Sequence, residues 1–543
     1  MAEHVRTVKT SSGATAVQIV RYEKRKRIVV SHIGSARSIE DLFTLKREAL
    51  RKIEATALQK RLFPEEETEQ SSPILVRNKI AYLGARHALI YEALTEIFGL
   101  FNFPKLHNQL LLDLVLMRII QPVSKLESLM YLSEMFGIHY KAGSLYQALQ
   151  LFPKLKTTTE EKIVAFAKEH YSFDFSMVFY DVTTLYYESF TEDEDTTDAE
   201  GNVIEKGLRK DGLGKEIKIG QPIIVIGLMV TKEGFPVSFE VYEGNTFEGD
   251  TFIPSILSFK KKYNIQTFTI VADAAMISFE NIEKLKEQKL SYIVGARITN
   301  LKQTEMKQIH TELIGKNQTA EELKMIDGKS IRIQTERGLL ICDFSLKRYQ
   351  KDKREMEKQI LKAEYLVSKN TDGKRTKFLM LKQDNQTTGK KRKKKGEKKE
   401  KAYALNMKLI EKTKRLLGIK GYYTNLFEKD EELTDQDIIT HYHSLWHVEK
   451  AFRIAKSDLA MRPIYHFKRQ TIEAHILICF MALAICKYME LKSGKSTKKI
   501  VRLLMSITDA RIRNKLTGEI IVMRQEFSEE VEQLWKTLIK PTL

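Results

Sequence analysis

The chain has 543 residues, enough for several domains that each bury a core. Its 90 Lys and Arg outnumber 71 Asp and Glu for a formal charge of +19, an excess that suits a polyanionic partner better than a small metabolite. Three cysteines exclude a disulfide framework and a thiolate zinc site, and Cys479 and Cys486, seven apart in an apolar run, read as buried thiols of a reducing compartment.

Residues 1–70 predict a β-hairpin, Ala16 to Tyr22 with Arg27 to Gly34 across the turn EKRK, and then a charged helix from Ser38 to Leu62. Met1 to Arg27 is polar and basic, with no apolar signal core. Residues 71–170 read as helical from Ile80 to Ala167. Ser124 and Glu127 have capping-box spacing, Gly137 breaks the helix they open, and another starts at Ser144. That helix-turn-helix outline suits a domain that binds DNA ends, although many helical pairs share it and its second helix is not very basic.

In residues 171–297 the periodicity changes to strands: Phe175 to Glu188, then Pro222 to Val230 and Pro236 to Asn245 turned by Gly234. A helix from Asp250 to Tyr263, a strand from Thr267 to Ala275, a helix from Ser278 to Gln288 and a strand from Ser291 to Arg297 follow. Three hairpin-linked strands and then helix, strand, helix, strand predict an α+β fold with an RNase H-like core. Residues 298–432 interrupt it as a β-rich insertion, with strands at SIRIQTE, LLICDF, AEYLVS, FLMLK and GYYTNL and one charged helix. Within it nine Lys and Arg crowd residues 390–401, led by Lys390, Lys391, Arg392, Lys393, Lys394 and Lys395. Such a block is either a solvated loop or a non-specific grip on phosphates.

Residues 433–490 complete the core. A helix from Tyr442 to about Ala460, stopped by Pro463, lies before a second from Thr471 to Leu491. The latter contains the longest apolar run, Ile476 to Ile485, too short to span a bilayer and read as a buried core segment. Residues 491–543 form a tail with a hairpin, Ala510 to Arg513 with Glu519 to Arg524, and a last helix.

Chemistry concentrates on three acids. On the helix from Tyr442, Leu445, Val448, Phe452, Ala455 and Leu459 make an apolar stripe, and Tyr442, Trp446, Glu449, Arg453 and Lys456 make a neighbouring one. A Glu one turn from an Arg and two from a Lys suits a grip on both a metal ion and a phosphate; the plainer reading is a solvated i,i+4 ion pair. Asp181 sits inside an apolar strand and Asp273 ends another, positions where an acid is costly without a partner; turn capping would explain Asp273 alone but explains Asp181 poorly. Asn245 and Asp250 read as turn and helix-start residues. Asp181, Asp273 and Glu449 together predict a site for two divalent cations across a scissile phosphate, and oxygen ligands select Mg²⁺ or Mn²⁺ over zinc. His441, His443 and His447 do not share a helix face and predict no zinc site.

YDVTTLYYE, the GLMV and GFPVSFEVYEGNT hairpin, VADAAM and YHSLWHVEKAFRIAKSDLAMRPIYH resemble bacterial insertion-sequence transposases of the D-D-E type. The resemblance runs from Phe175 to Tyr488 and is to the branch with a β-rich insertion between the second Asp and the Glu. That branch's Y-x2-R-x3-E-x6-K signature falls on Tyr442, Leu445, Glu449 and Lys456; Leu445 replaces the Arg, and Arg453 is the substitute within reach. The resemblance implies cleavage at element ends and strand transfer into target DNA, with Tyr442 and Lys456 on the end DNA. It implies double-stranded inverted repeats and target DNA as partners, a homodimer on DNA, no membrane, and a bacterial cytoplasmic, nucleoid-associated location. Some relatives flip a base onto an insertion Trp; here Tyr365, Tyr422 or Tyr423 would have to serve. The competing expectations are a metal-dependent nuclease of the same fold without strand transfer, and an inactive DNA-binding remnant. Retention of all three acids and Lys456 opposes the remnant.

The charge reading is testable by itself. Binding to unrelated duplex should weaken steeply with salt, and deleting residues 390–401 should flatten the log–log slope by about 0.9 per lost phosphate contact. Discrimination between an element end and random DNA should survive; if the deletion abolishes it, the block is more than an electrostatic grip.

Overall fold

A computed structural model describes residues 3–11, 13–23, 26–58, 79–187, 190–212, 221–276, 278–316, 319–369, 376–381, 403–428 and 432–539. The chain divides into two compact units: Met1–Ile97, Ser124–Ala142 and Lys492–Leu543 form one, and Phe98–Val123 with Gly143–Leu491 the other. The helical stretch expected as a DNA-end-binding domain contributes to both. The helices of its helix-turn-helix outline, Lys125–Tyr131 and Ala142–Leu151, are divided between them. Ser124 does cap the first, accepting from the Glu127 amide, and Gly137, at φ 73°, ends the turn that follows.

In the first unit, Glu3–Lys9, Thr15–Glu23 and Lys26–Ala36 form an antiparallel sheet, one strand more than the expected hairpin. The extra strand, EHVRTVK, is mostly polar and carries little alternation to read. Val17 and Ile19 pack on Ala49 of the helix Ile39–Leu58. Ile80–Arg86, expected to be helical, is instead a strand paired with Asp509–Asn514, which pairs in turn with Ile520–Arg524. Its partner comes from the far end of the chain, so no local pattern announces it.

The second unit is organised by one eight-stranded sheet: β1 (Met177–Tyr186), β2 (Ile223–Val230), β3 (Pro236–Glu243), β4 (Thr269–Ala272), β5 (Ser291–Ala296), β6 (Ser330–Thr335), β7 (Gly338–Phe344) and β8 (Ile419–Thr424). Their order is 6-7-8-5-4-1-2-3, with β4 parallel to both neighbours and every other pair antiparallel. β2 reads as an unbroken apolar run because it is buried along its whole length. The turn between β2 and β3 uses Gly234 at φ 78°, where an added Cβ would stand 2.9 Å from His447 Cβ.

The insertion carries more helix than expected among the described residues, and it is not separate from the core. Three of its strands, β6, β7 and β8, extend the main sheet beyond β5. AEYLVS belongs to a 24-residue helix, Leu346–Lys369, whose Met356 and Ala363 pack on Phe378, Ile410 and Leu417. Charged residues around AEYLVS continue a helical period that outweighs the β-branched residue inside it. Lys390, Lys391, Arg392, Lys393, Lys394 and Lys395 lie outside the described residues.

The expected helix from Tyr442 to Ala460 is three pieces. α1 (Asp435–His443) ends early, α2 (Trp446–Arg453) follows, and a π-helical turn covers Ile454–Asp458. Between α1 and α2 the backbone tightens to i→i+3 bonds, with Leu445 N–H donating to Tyr442 at 3.0 Å and Val448 N–H to Leu445 at 3.0 Å. The predicted apolar stripe is nevertheless buried, from Leu445 at 6% exposure to Leu459 at 1%. α3 (Arg469–Ser493) is long and apolar enough to cross a membrane, yet 94% of its apolar window is buried in protein, the environment of a core helix.

Phe101 and Phe166 stack at 3.9 Å between ring centres, with Tyr488 of α3 edge-on to Phe166 at 5.4 Å and Phe235, beside the Gly234 turn, 5.7 Å from it. This cluster fixes the sheet turn that backs α2. Phe101→Ala should cost about 3–5 kcal/mol of stability. Phe279→Ala, at a 54% exposed ring, should stay within about 0.5 kcal/mol, both read from denaturant midpoints.

Candidate active site

β1 and β4 bring two acids together by register alone. The parallel pair sets Ala272 beside Tyr180, so the next residues, Asp273 and Asp181, are neighbours across the two strands. α2 packs Val448, Ala451 and Phe452 inward and carries Glu449 on its exposed side. Asp181, Asp273 and Glu449 line one cleft of about 340 Å³, together with Arg453, Lys456 and Arg462. The structure therefore assembles five of the residues singled out from the sequence. Arg462 was not among them; its one sequence signal was its place directly before Pro463, which favours extended backbone. Thr183 also lines the cleft, two residues after Asp181 on the same strand face.

The plainer reading of Glu449 and Arg453 is not what forms. Neither makes an ion pair among the described residues, although they are four apart on one helix. Lys456 sits in the π-helical turn, half-buried beside Phe452, with its Nζ 6.0 Å from that ring centre. Leu445 is 6% exposed and gives the cleft an apolar wall where the branch signature has an Arg.

Tyr442 differs most from expectation. It is only 3% exposed, and its hydroxyl donates to Asp273 Oδ1 at 3.0 Å instead of facing outward for DNA. The i→i+3 turn between α1 and α2 rotates it away from the stripe that carries Glu449. Burial first, and then the Asp273 charge, push the phenol pKa far up, so it remains a donor. The Ala274 amide donates to the same Oδ1 at 2.7 Å, while Oδ2 accepts no hydrogen bond among the described residues. Close approach of Tyr442 depends on Gly295 of β5: a Cβ there would lie 2.4 Å from the Tyr442 hydroxyl.

No three acidic, imidazole or thiol groups among the described residues stand close enough to hold one ion unaided. His443 Nε2 is 3.3 Å from the Tyr422 hydroxyl, and His447 stacks on Trp446 at 4.0 Å. Of the tyrosines considered for stacking a flipped base, Tyr422 and Tyr423 are buried at 0% and 2%, leaving Tyr365 exposed at 62%.

The steric link between Gly295 and Tyr442 yields a stability prediction independent of any activity. Gly295→Ala should destabilise by about 1–3 kcal/mol through overpacking. Gly295→Ala combined with Tyr442→Phe should recover part of that loss, because the nearest obstructing oxygen is gone. Strict additivity of the two substitutions in unfolding free energy would contradict the contact.

Among solved structures the chain is similar to piggyBac transposase in a synaptic complex with hairpin DNA, at 10% identity and a TM-score of 0.32, over 76% of this chain and 70% of that one. No match is found among curated proteins. Residues 223–485, from the start of β2 into α3 and including Asp273, Glu449 and Lys456, match the family model of the transposase DDE domain.

Proposed function

We propose that the chain is a DNA transposase that cleaves at insertion-sequence ends and transfers the freed strand into target DNA. The observation that carries this reading is the convergence of Asp181, Asp273 and Glu449 with Arg453, Lys456 and Arg462 on one cleft. The transposase DDE domain match over residues 223–485 supports it, and so does a charge of +19. Strands β3-β2-β1-β4-β5, with β4 and β5 parallel to β1, support an RNase H-like core.

The reaction class is phosphoryl transfer. Water displaces the deoxyribose 3′ oxygen at phosphorus, leaving a 3′-hydroxyl, and that hydroxyl then displaces the 3′ oxygen at a target phosphate. Divalent cations, Mg²⁺ or Mn²⁺ with two per site, would activate the attacking oxygen and neutralise the leaving one. The donors fit such ions in kind: Asp273 Oδ2 and the Glu449 carboxylate accept no hydrogen bond among the described residues. With no three groups closing on one point, one or two carboxylates per ion plus substrate oxygens is the appropriate arrangement.

The remaining roles belong to the chain's own groups. Arg453, Lys456 and Arg462 set phosphates over the acids. Arg453, exposed and without an ion pair among the described residues, takes the place of the Arg missing at Leu445. Tyr442 acts beneath the cleft by pinning Asp273 Oδ1, in place of the DNA contact expected of it. A homodimer on DNA, with double-stranded terminal repeats and target DNA as ligands, would pair the two ends. A nucleoid-associated cytoplasmic location follows from that partner.

Asp181→Ala, Asp273→Ala and Glu449→Ala should each abolish Mg²⁺- or Mn²⁺-dependent cleavage of an element-end duplex while end affinity stays within a few-fold. Near wild-type cleavage by any one of them removes that residue from the site. Lys456→Ala should instead weaken end binding about ten- to hundred-fold, for a lost charge-assisted contact of roughly 1.5–3 kcal/mol. It should keep metal-dependent cleavage at high protein concentration. Joining of the cut end to a target plasmid separates a transposase from a nuclease: cut ends that are never joined would contradict strand transfer.

A further inference from the structure

Beneath the cleft, on β8, stands a cation that none of these roles uses. Lys420 faces Asp343 of β7 across the antiparallel ladder and is half-buried. Its Nζ lies 4.2 Å from the centre of the Tyr442 ring and 5.8 Å from that of Tyr422. Those two rings pack on each other at 4.7 Å with a 57° tilt. The ammonium is thus held on an aromatic pair, and among the described residues it has no carboxylate partner within ion-pairing distance.

A lysine whose only task was to fill this layer would be a poor choice, because burying an unpaired ammonium is costly. Burial foremost, with Arg348 beside it, draws its pKa down to about 8; Asp273, Asp343 and Glu449 pull the other way. Two of those three acids, Asp273 and Glu449, line the cleft. A cation over the face of a phenol draws electron density from the ring and makes its hydroxyl a better donor. The hydroxyl in question is the one that holds Asp273 Oδ1.

We infer that Lys420 is a positioning residue: seated on the face of Tyr442, it strengthens the hydrogen bond to Asp273 and supplies a fixed positive charge under the acids of the cleft. The inference rests on the proposed reading of Asp273 as a site carboxylate.

Two measurements on the full chain test it. In protein labelled with 3-fluorotyrosine, the ¹⁹F resonance that disappears in Tyr442→Phe belongs to Tyr442. That resonance should shift in Lys420→Met and stay near its original position in Lys420→Arg. In single-turnover cleavage of an end duplex at saturating protein, Lys420→Met should slow the reaction about tenfold, the scale of one such contact. Its end affinity should remain within twofold, and Lys420→Arg should recover most of the rate. In a Tyr442→Phe background, Lys420→Met should change the rate by less than twofold, because the hydroxyl it acts through is already gone. An unmoved Tyr442 resonance, or a Lys420→Met effect that multiplies in full with Tyr442→Phe, overturns the inference. Equal losses in rate and affinity overturn it too, since they would put Lys420 on the DNA. If Lys420→Met does not fold, Lys420→Gln serves in the same comparisons. Absence of cleavage by the unaltered chain would sink the proposed function, while the ¹⁹F arm would still decide the Lys420–Tyr442 contact.

Discussion

The geometry of the cleft depends on one half-buried hydrogen bond, from the Tyr442 hydroxyl to Asp273 Oδ1. An acid at the end of a parallel strand is otherwise free to swing with its rotamers; here one oxygen is fixed by the phenol and the Ala274 amide. Several features that look unrelated in the chain serve that contact. Gly295 leaves the space, Tyr422 supports the ring, and the tightened turn at Ser444 and Leu445 aims Tyr442 downward while α2 carries Glu449 outward. A continuous helix would have put both residues on one side, and the cleft would have lost either its floor or its third acid.

Charge follows the same division between floor and opening. Three acids on the cleft wall repel one another, and cations stand at two levels around them: Arg453, Lys456 and Arg462 at the opening, Lys420 below. The upper cations line the cleft itself, where the proposed reading sets phosphates. The lower one is half-buried against two aromatic rings, so its field acts chiefly on the protein's own groups. On the proposed reading the basic residues around the cleft divide between binding and internal support.

Much of this was legible in the sequence where local pattern and tertiary fate agree. The strands that carry Asp181 and Asp273 announce themselves because β-branched and aromatic runs are buried on both faces. The cluster of Glu449, Arg453 and Lys456 was legible because helical spacing survives in α2 and the turn after it. What was not legible depends on distant partners. Ile80–Arg86 takes its strand from residues near the C-terminus, and Lys420 looks like any surface lysine until β8 lies between β5 and β7. AEYLVS shows the reverse error, in which a β-like hexapeptide is overruled by the amphipathic period on both sides of it. Tyr442 was found by its spacing, but two i→i+3 bonds turned it from the surface to the floor.

The assignment of the cleft as the place where divalent cations meet DNA is open to a direct test that does not depend on turnover. Fe²⁺ can replace Mg²⁺ at sites of hard oxygen ligands, and with ascorbate and peroxide it cuts the polypeptide close to where it is bound. Mapping the fragments of the DNA-bound chain should give cuts near Asp181, near Asp273 and near Glu449, all suppressed by excess Mg²⁺. Cuts confined to other segments, or cuts at these three that Mg²⁺ does not suppress, would contradict it.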